Sequence, residues 1–162
     1  MTERSMSEQP ETPRADAGAE PAGPAPTETV AEVRVSYGEV DKMGVAYYAN
    51  YLRWFEIGRA EYIRARGKSY KELEAEGFML PVIEAYVRYR EPAAYDDALL
   101  VCTAPAELGQ VRLRFGYRLL RKTDGALLSD GYTVHACMSP ARRVRRFPLE
   151  LLKLLKQPAC VP

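Results

Sequence analysis

Apolar and polar positions alternate in several stretches of the chain and repeat at helical spacing in others. Val33, Val35 and Tyr37 alternate with Arg34 and Ser36, a period of two that predicts a half-buried strand. From about Asn50 to Arg66 the period changes. Tyr51, Phe55, Gly58 and Tyr62 fall at steps of four, three and four, one stripe along a helix. Gly58 within that stripe costs about 1 kcal/mol relative to Ala, which predicts close approach to a sheet. Gly67 suits the position just past the helix end. Ser69 followed by Glu72 has the spacing of a capping box and opens a second, short helix that Gly77 closes.

Strand periodicity then returns. Met79 to Arg90 puts Tyr86, Arg88 and Arg90 on one face and Ala85, Val87 and Tyr89 on the other. Asp97 to Thr103 reads as a further strand. Val111, Leu113, Phe115, Tyr117 and Leu119 alternate with Arg112, Arg114, Gly116 and Arg118, the clearest half-buried strand of the chain. Asp124-Gly125 predicts a hairpin turn, with Leu127 to Met138 pairing back. A short strand is expected near Val144. Pro148 is expected at the first position of a C-terminal helix running through Lys156. One long helix must therefore cover one face of an antiparallel sheet, an α+β layer architecture. The order excludes alternating βαβ units, and neither GxGxxG nor GxxxxGK[ST] occurs.

Residues 1–27 stand apart. They hold five of the twelve prolines, five alanines and no aromatic residue, with two Arg against five Asp and Glu. Such a segment buries too little apolar surface to offset its ordering entropy, so a disordered tail over 1–27 and one domain over 28–162 are expected. The tail lacks the apolar core of a secretory signal and is too acidic for a transit peptide. The chain as a whole carries +1 at pH 7, which argues against nucleic acid as its main partner. No apolar run approaches the roughly 18 residues of a spanning helix. Cys102, Cys137 and Cys160 are odd in number and widely spaced, so neither a disulfide framework nor a zinc site is expected, and a reducing, cytoplasmic setting is. A single histidine, His135, excludes any multi-histidine metal centre.

The densest unusual stretch is Tyr37 to Tyr51, between the first strand and the long helix. A helix N-terminus offers free N–H groups and the positive end of the dipole. A loop carboxylate just before it can face a reacting carbonyl whose oxygen those N–H groups hold, the arrangement of an oxyanion hole.

This stretch, D-x-x-G-x-x-Y-x-x-N-Y-x-x-W-F-E from Asp41 to Glu56, resembles the 4-hydroxybenzoyl-CoA thioesterase family of hotdog-fold acyl-CoA thioesterases. Tyr89-Arg90-Glu91-Pro92-Ala93, Tyr95-Asp96-Asp97 and Val111 to Tyr117 extend the resemblance in the same order, over roughly residues 30–150. It is especially similar to the branch that includes the Tol–Pal-associated thioesterase. That branch carries histidine at the position of Tyr48, where the aromatic residue here resembles the 4-hydroxybenzoyl-CoA enzyme instead.

The resemblance implies an antiparallel sheet wrapped around the long helix. It also implies a homodimer whose sheets join edge to edge, or a homotetramer of two such dimers, with sites at the subunit interface. It implies hydrolysis of an acyl-CoA thioester, or of an acyl carrier protein thioester, without a cofactor. Asp41 matches the catalytic carboxylate, acting as nucleophile or general base. Tyr48 matches the residue whose backbone N–H polarises the carbonyl, and Gly44 the glycine shaping the turn between them. Arg112 and Arg114, or the cluster Arg142 to Arg146, are candidates for the CoA phosphates. Glu56 is a candidate for orienting neighbours at the site or for a surface ion pair. His135 and Cys137 share a strand face and read as a packed core pair. An acyl hydratase would need a histidine near the helix, where none occurs. A non-catalytic hotdog module that binds acyl-CoA or a protein partner is the alternative function.

Overall fold

The computed structural model describes residues 28–158. The tail expected over 1–27 lies outside the described residues. The first strand, β1 (Thr29–Arg34), leads through a single 3-10 turn at Tyr37–Glu39 and a tight loop into the long helix α1 (Asn50–Arg64). A short helix, α2 (Tyr70–Ala75), follows. Four strands come next: β2 (Val82–Tyr89), β3 (Ala98–Leu108), β4 (Arg112–Arg121) and β5 (Leu127–Ala136). A last helix, α3 (Leu149–Lys156), ends the described chain. All five strands join one antiparallel sheet in the order β1-β3-β4-β5-β2, so β1 and β2 form its edges.

The core lies between α1 and the inner face of this sheet. On α1 the predicted stripe is buried: Tyr51, Phe55, Gly58 and Tyr62, with Trp54 and Ile63 beside it. Leu113, Phe115, Tyr117 and Leu119 of β4 meet it from the sheet. Phe55 stacks on Tyr117 with ring centroids 4.3 Å apart, and Tyr62 meets Phe115 edge to face at 5.4 Å. Gly58 makes the approach possible. A Cβ there would overlap Thr103 Oγ1 and lie 2.7 Å from Val101 Cγ1, both on β3. The helix stops two residues short of the expected Arg66. Gly67 takes φ +82°, and its N–H donates to the Arg64 carbonyl at 2.9 Å, a turn closure that draws on glycine's freedom.

The capping box of α2 forms as its spacing predicts, with the Ser69 N–H and hydroxyl both donating to Glu72 at 2.7 Å. Prolines account for most departures from the expected strands. Pro81 has no N–H to give, so β2 starts at Val82 and Met79 makes a separate bridge to Met138. Pro105 does not end β3, which absorbs it in a bulge between Pro105 and Glu107 and continues to Leu108. The strand expected near Val144 is a single bridge to Met138, because the chain turns tightly from Ser139 to Arg143 with Arg142 at φ +57°. Pro148 caps α3 one residue before its first turn instead of occupying it. Among the described residues no helix is long and apolar enough to cross a membrane.

Candidate active site

The loop between the 3-10 turn and α1 folds back on itself. Val40 bridges Ala46, and the Asp41 N–H donates to the Val45 carbonyl at 2.9 Å. Gly44 closes the turn, its N–H donating to the Asp41 carbonyl at 3.0 Å with φ at +78°. Asp41 Oδ1 accepts from the Met43 N–H at 2.7 Å, which orients the carboxylate and leaves its second oxygen outside that bond. Asp41 is half-buried, whereas Lys42, Met43 and Gly44 are exposed.

Two residues past the turn, Ala46 donates to the Ala93 carbonyl at 2.8 Å and fixes the loop to the segment after β2. Tyr48 then stands directly before the helix. Its side chain is 61% exposed and packs on Tyr47 with centroids 4.5 Å apart. Its carbonyl accepts from the Tyr89 hydroxyl at 3.1 Å. Among the described residues its N–H donates to nothing. The helix begins at Asn50 with Ala49 as its N-cap, and no side chain caps it. The result is an unengaged N–H at the positive end of a four-turn helix, with a carboxylate on the same loop. That arrangement can hold a carbonyl oxygen and present a base or nucleophile to its carbon.

Asp41, Gly44 and Tyr48 are thus on one loop. The other expected site residues are elsewhere. Glu56 lies eight residues along α1 from Tyr48, about 12 Å at 1.5 Å per residue. It is exposed and lines two adjoining cavities. One, of about 260 Å³, also touches Leu52, Arg53, Arg59, Val82, Ala85 and Thr133. The other, of about 670 Å³, runs from Arg59 and Tyr70 to Met79, Pro81, Met138 and Arg142. Neither includes Asp41. Arg112 and Arg114 alternate with the inward-facing Leu113 and Phe115, so they stand on the sheet face opposite α1. Arg114 lies over the Tyr132 ring at 4.3 Å, with its Nε enclosed and unpartnered. The cluster Arg142 to Arg146 divides: Arg142 lines the larger cavity, while Arg145 donates to the Gly77 carbonyl at 3.0 Å and covers Phe78.

His135 is fully buried between Thr133 Oγ1 at 2.8 Å and the Leu80 carbonyl at 3.0 Å. The carbonyl can only accept, so Nδ1 carries the proton and the Thr133 hydroxyl donates to Nε2. Burial drives its pKa down to about 4, against the opposing pull of the Leu80 hydrogen bond. Burial also pushes the Cys137 thiol up, away from the thiolate. Among the described residues no group of three or more His, Cys, Asp or Glu side chains is placed to hold a metal ion.

Two residues near the loop were passed over in the sequence. Glu39 is buried, and its carboxylate meets Ser36, Arg53 and Trp54. Burial alone would raise its pKa. The Ser36, Trp54 and Arg53 donors outweigh burial and hold it below the ordinary value. The spacing Ser36-x-x-Glu39 is a capping-box signature and was the available signal. Asn50, within the quoted motif but without a role there, donates from Nδ2 to the Glu39 carbonyl at 2.8 Å.

A model of the Thioesterase-like superfamily matches residues 35–155, and the chain belongs to that superfamily. The acyl-CoA thioester hydrolase YbgC of Escherichia coli is 30% identical to it over 77% of this chain and 93% of that one. A hypothetical protein of Thermus thermophilus has a crystal structure similar to this one, with a TM-score of 0.74 and 34% identity over 78% of this chain and 95% of its own. The DHNA-CoA thioesterase of Staphylococcus aureus gives a TM-score of 0.70 and 30% identity, over 76% and 82%. The sheet wrapped on one long helix is the hotdog fold, α+β as expected.

Proposed function

We propose that the chain is an acyl-CoA thioesterase of the 4-hydroxybenzoyl-CoA thioesterase family. The observation that carries this reading is the unengaged Tyr48 N–H at the uncapped start of α1, on the same loop as the Asp41 carboxylate. The activity named for the Escherichia coli relative, acyl-CoA thioester hydrolysis, supports it.

In the proposed reaction the thioester carbonyl oxygen accepts from the Tyr48 N–H, next to the helix dipole. Asp41 attacks the carbonyl carbon to give a mixed anhydride that water opens, or it takes a proton from the water that attacks. Either way the C–S bond breaks, the sulfur leaves as CoA thiolate, and one water is consumed to form the free acid. A thiolate leaves without a strong general acid, which suits a loop that contains no histidine. Gly44 keeps the turn short enough to hold Asp41 and Tyr48 together.

The homodimer that the family resemblance implies has a natural seat on β2, the sheet edge that carries Tyr89. Arg112 and Arg114 would meet CoA phosphates only around that edge or from another protomer, since they face away from α1. Thiol release should be measured across acyl-CoAs from acetyl to palmitoyl, with benzoyl-type esters included. Asp41→Asn is expected to lower turnover at least about a hundredfold, the scale of losing a group that acts in the transition state. Equal turnover by both proteins overturns the role of Asp41. Binding of CoA esters without turnover by the unmutated protein makes it a binding module instead.

A further inference from the structure

Glu39 carries a charge, yet only 8% of its surface is exposed. A buried carboxylate persists where donors pair its oxygens, and here four do. Oε2 accepts from the Ser36 N–H at 2.7 Å and the Ser36 hydroxyl at 2.8 Å. Oε1 accepts from the Arg53 guanidinium at 2.9 Å and the Trp54 indole N–H at 3.2 Å. Ser36 precedes the candidate loop, whereas Arg53 and Trp54 belong to the first turns of the helix that follows it. One carboxylate therefore ties together the two stems between which Asp41, Gly44 and Tyr48 are held.

The main chain of Glu39 repeats the connection. Its carbonyl accepts from the Tyr47 N–H at 2.8 Å and from Asn50 Nδ2 at 2.8 Å. The Asn50 N–H in turn donates to the Tyr47 carbonyl at 2.9 Å. These three bonds close a ring around the Tyr47–Tyr48 peptide, the unit whose other polar atom is the Tyr48 N–H. The orientation of that N–H is thereby referred to Glu39, which stands two residues before Asp41. The Arg53 side chain is 65% exposed, so the ion pair taken alone is screened by solvent and contributes little to stability. What distinguishes Glu39 is where its donors come from: the segment before the loop and the helix after it.

We propose that Glu39 is a positioning residue of the thioesterase site, fixing the Tyr48 N–H relative to the Asp41 carboxylate. This rests on the hydrolase reading above. The test is a kinetic double-mutant cycle on the full chain, with the best acyl-CoA of the panel and thiol release as readout. Glu39→Gln keeps the size but loses the charge and turns an acceptor into a donor. It is expected to lower kcat about thirtyfold or more, with KM changed less than about threefold, because a misplacement of about 1 Å can cost a hundredfold. In an Asp41→Asn background the same change should cost less than about threefold, as for groups that act as a unit. Glu72→Gln disturbs the comparable capping box of α2, away from the loop, and should leave kcat unchanged.

Equal losses in both backgrounds, or an undiminished kcat in Glu39→Gln, overturn the positioning role. If Glu39→Gln does not fold, Ser36→Ala removes one donor and should lower kcat several-fold at constant KM; full kcat in that variant overturns the proposal too. Absence of thioester turnover in the unmutated protein overturns the hydrolase reading and this role with it. An active protein with an equally active Glu39→Gln overturns this role alone.

Discussion

His135 shows how a single side chain can have a large effect without taking part in the chemistry. Its ring is fully buried and neutral, with both nitrogens hydrogen-bonded. Because its pKa falls from about 6.5 to about 4 on folding, the unfolded chain binds the proton first as pH drops. The stability gained from keeping this histidine neutral is present above pH 6.5 and is lost as pH falls toward 4. The full loss is on the order of 3 kcal/mol. Urea unfolding at pH 7 and pH 4.5 should show a marked fall in the midpoint. In His135→Gln the midpoint should fall less over the same interval, by the share of one proton. An equal pH dependence in both proteins would refute this assignment. That Asp41, Gly44 and Tyr48 lie on one loop was legible because a turn and a helix start within eight residues are local features. Glu39 was not, because Arg53 and Trp54 lie 14 and 15 residues away and reach it only once α1 has packed.

At the scale of elements, the position of α1 depends on one missing side chain. Gly58→Ala would gain roughly 1 kcal/mol in helix propensity, yet its methyl would enter the space of Thr103 and Val101. Overpacking of this kind costs about 1–3 kcal/mol, so a net loss is expected, since both clashing atoms belong to the neighbouring strand β3. Denaturant unfolding checks it; a more stable Gly58→Ala would mean that α1 can lift off β3 freely. Ser69→Ala tests a local rule on α2 and should cost about 1 kcal/mol through the lost cap. The helix stripes and most strands could be read from periodicity because burial imposes it directly. Strand ends could not. Pro81 interrupts the ladder, although its carbonyl still accepts from the Ala136 N–H at 3.2 Å, whereas Pro105 only bends it, and the difference lies in the partner strands. Pro105 sits where β3 can bulge against β4, while Pro81 precedes the strand that β5 receives.

For the molecule as a whole, the feature with the largest physical consequence is the β2 edge of the sheet. The alternation of β2 divides its residues between two faces, and they are exposed on both, apart from a half-buried Val87. Sequence order concealed this, because β2 pairs only with β5 and ends up last in the sheet. Val82, Ile83, Tyr86 and Tyr89 are each between 45% and 49% exposed along this edge strand, which has a partner on one side alone among the described residues. An edge of eight residues, six of them apolar or aromatic, whose outer N–H and C=O groups have no partner strand among the described residues, is a template for another strand. Antiparallel pairing of β2 with its own copy satisfies both sets of groups and buries the tyrosines, the self-complementary contact of a two-fold dimer. Light scattering should therefore give at least twice the 18.2 kDa of one chain. Ile83→Lys places a charge on the edge and should shift the mass toward one chain. Thioester turnover should fall with it, since Tyr89, on the same strand, holds the Tyr48 carbonyl at 3.1 Å and with it the start of α1. A protein that is monomeric at micromolar concentration and fully active would refute the dimer. A dimer that survives Ile83→Lys would move the interface to another face of the molecule.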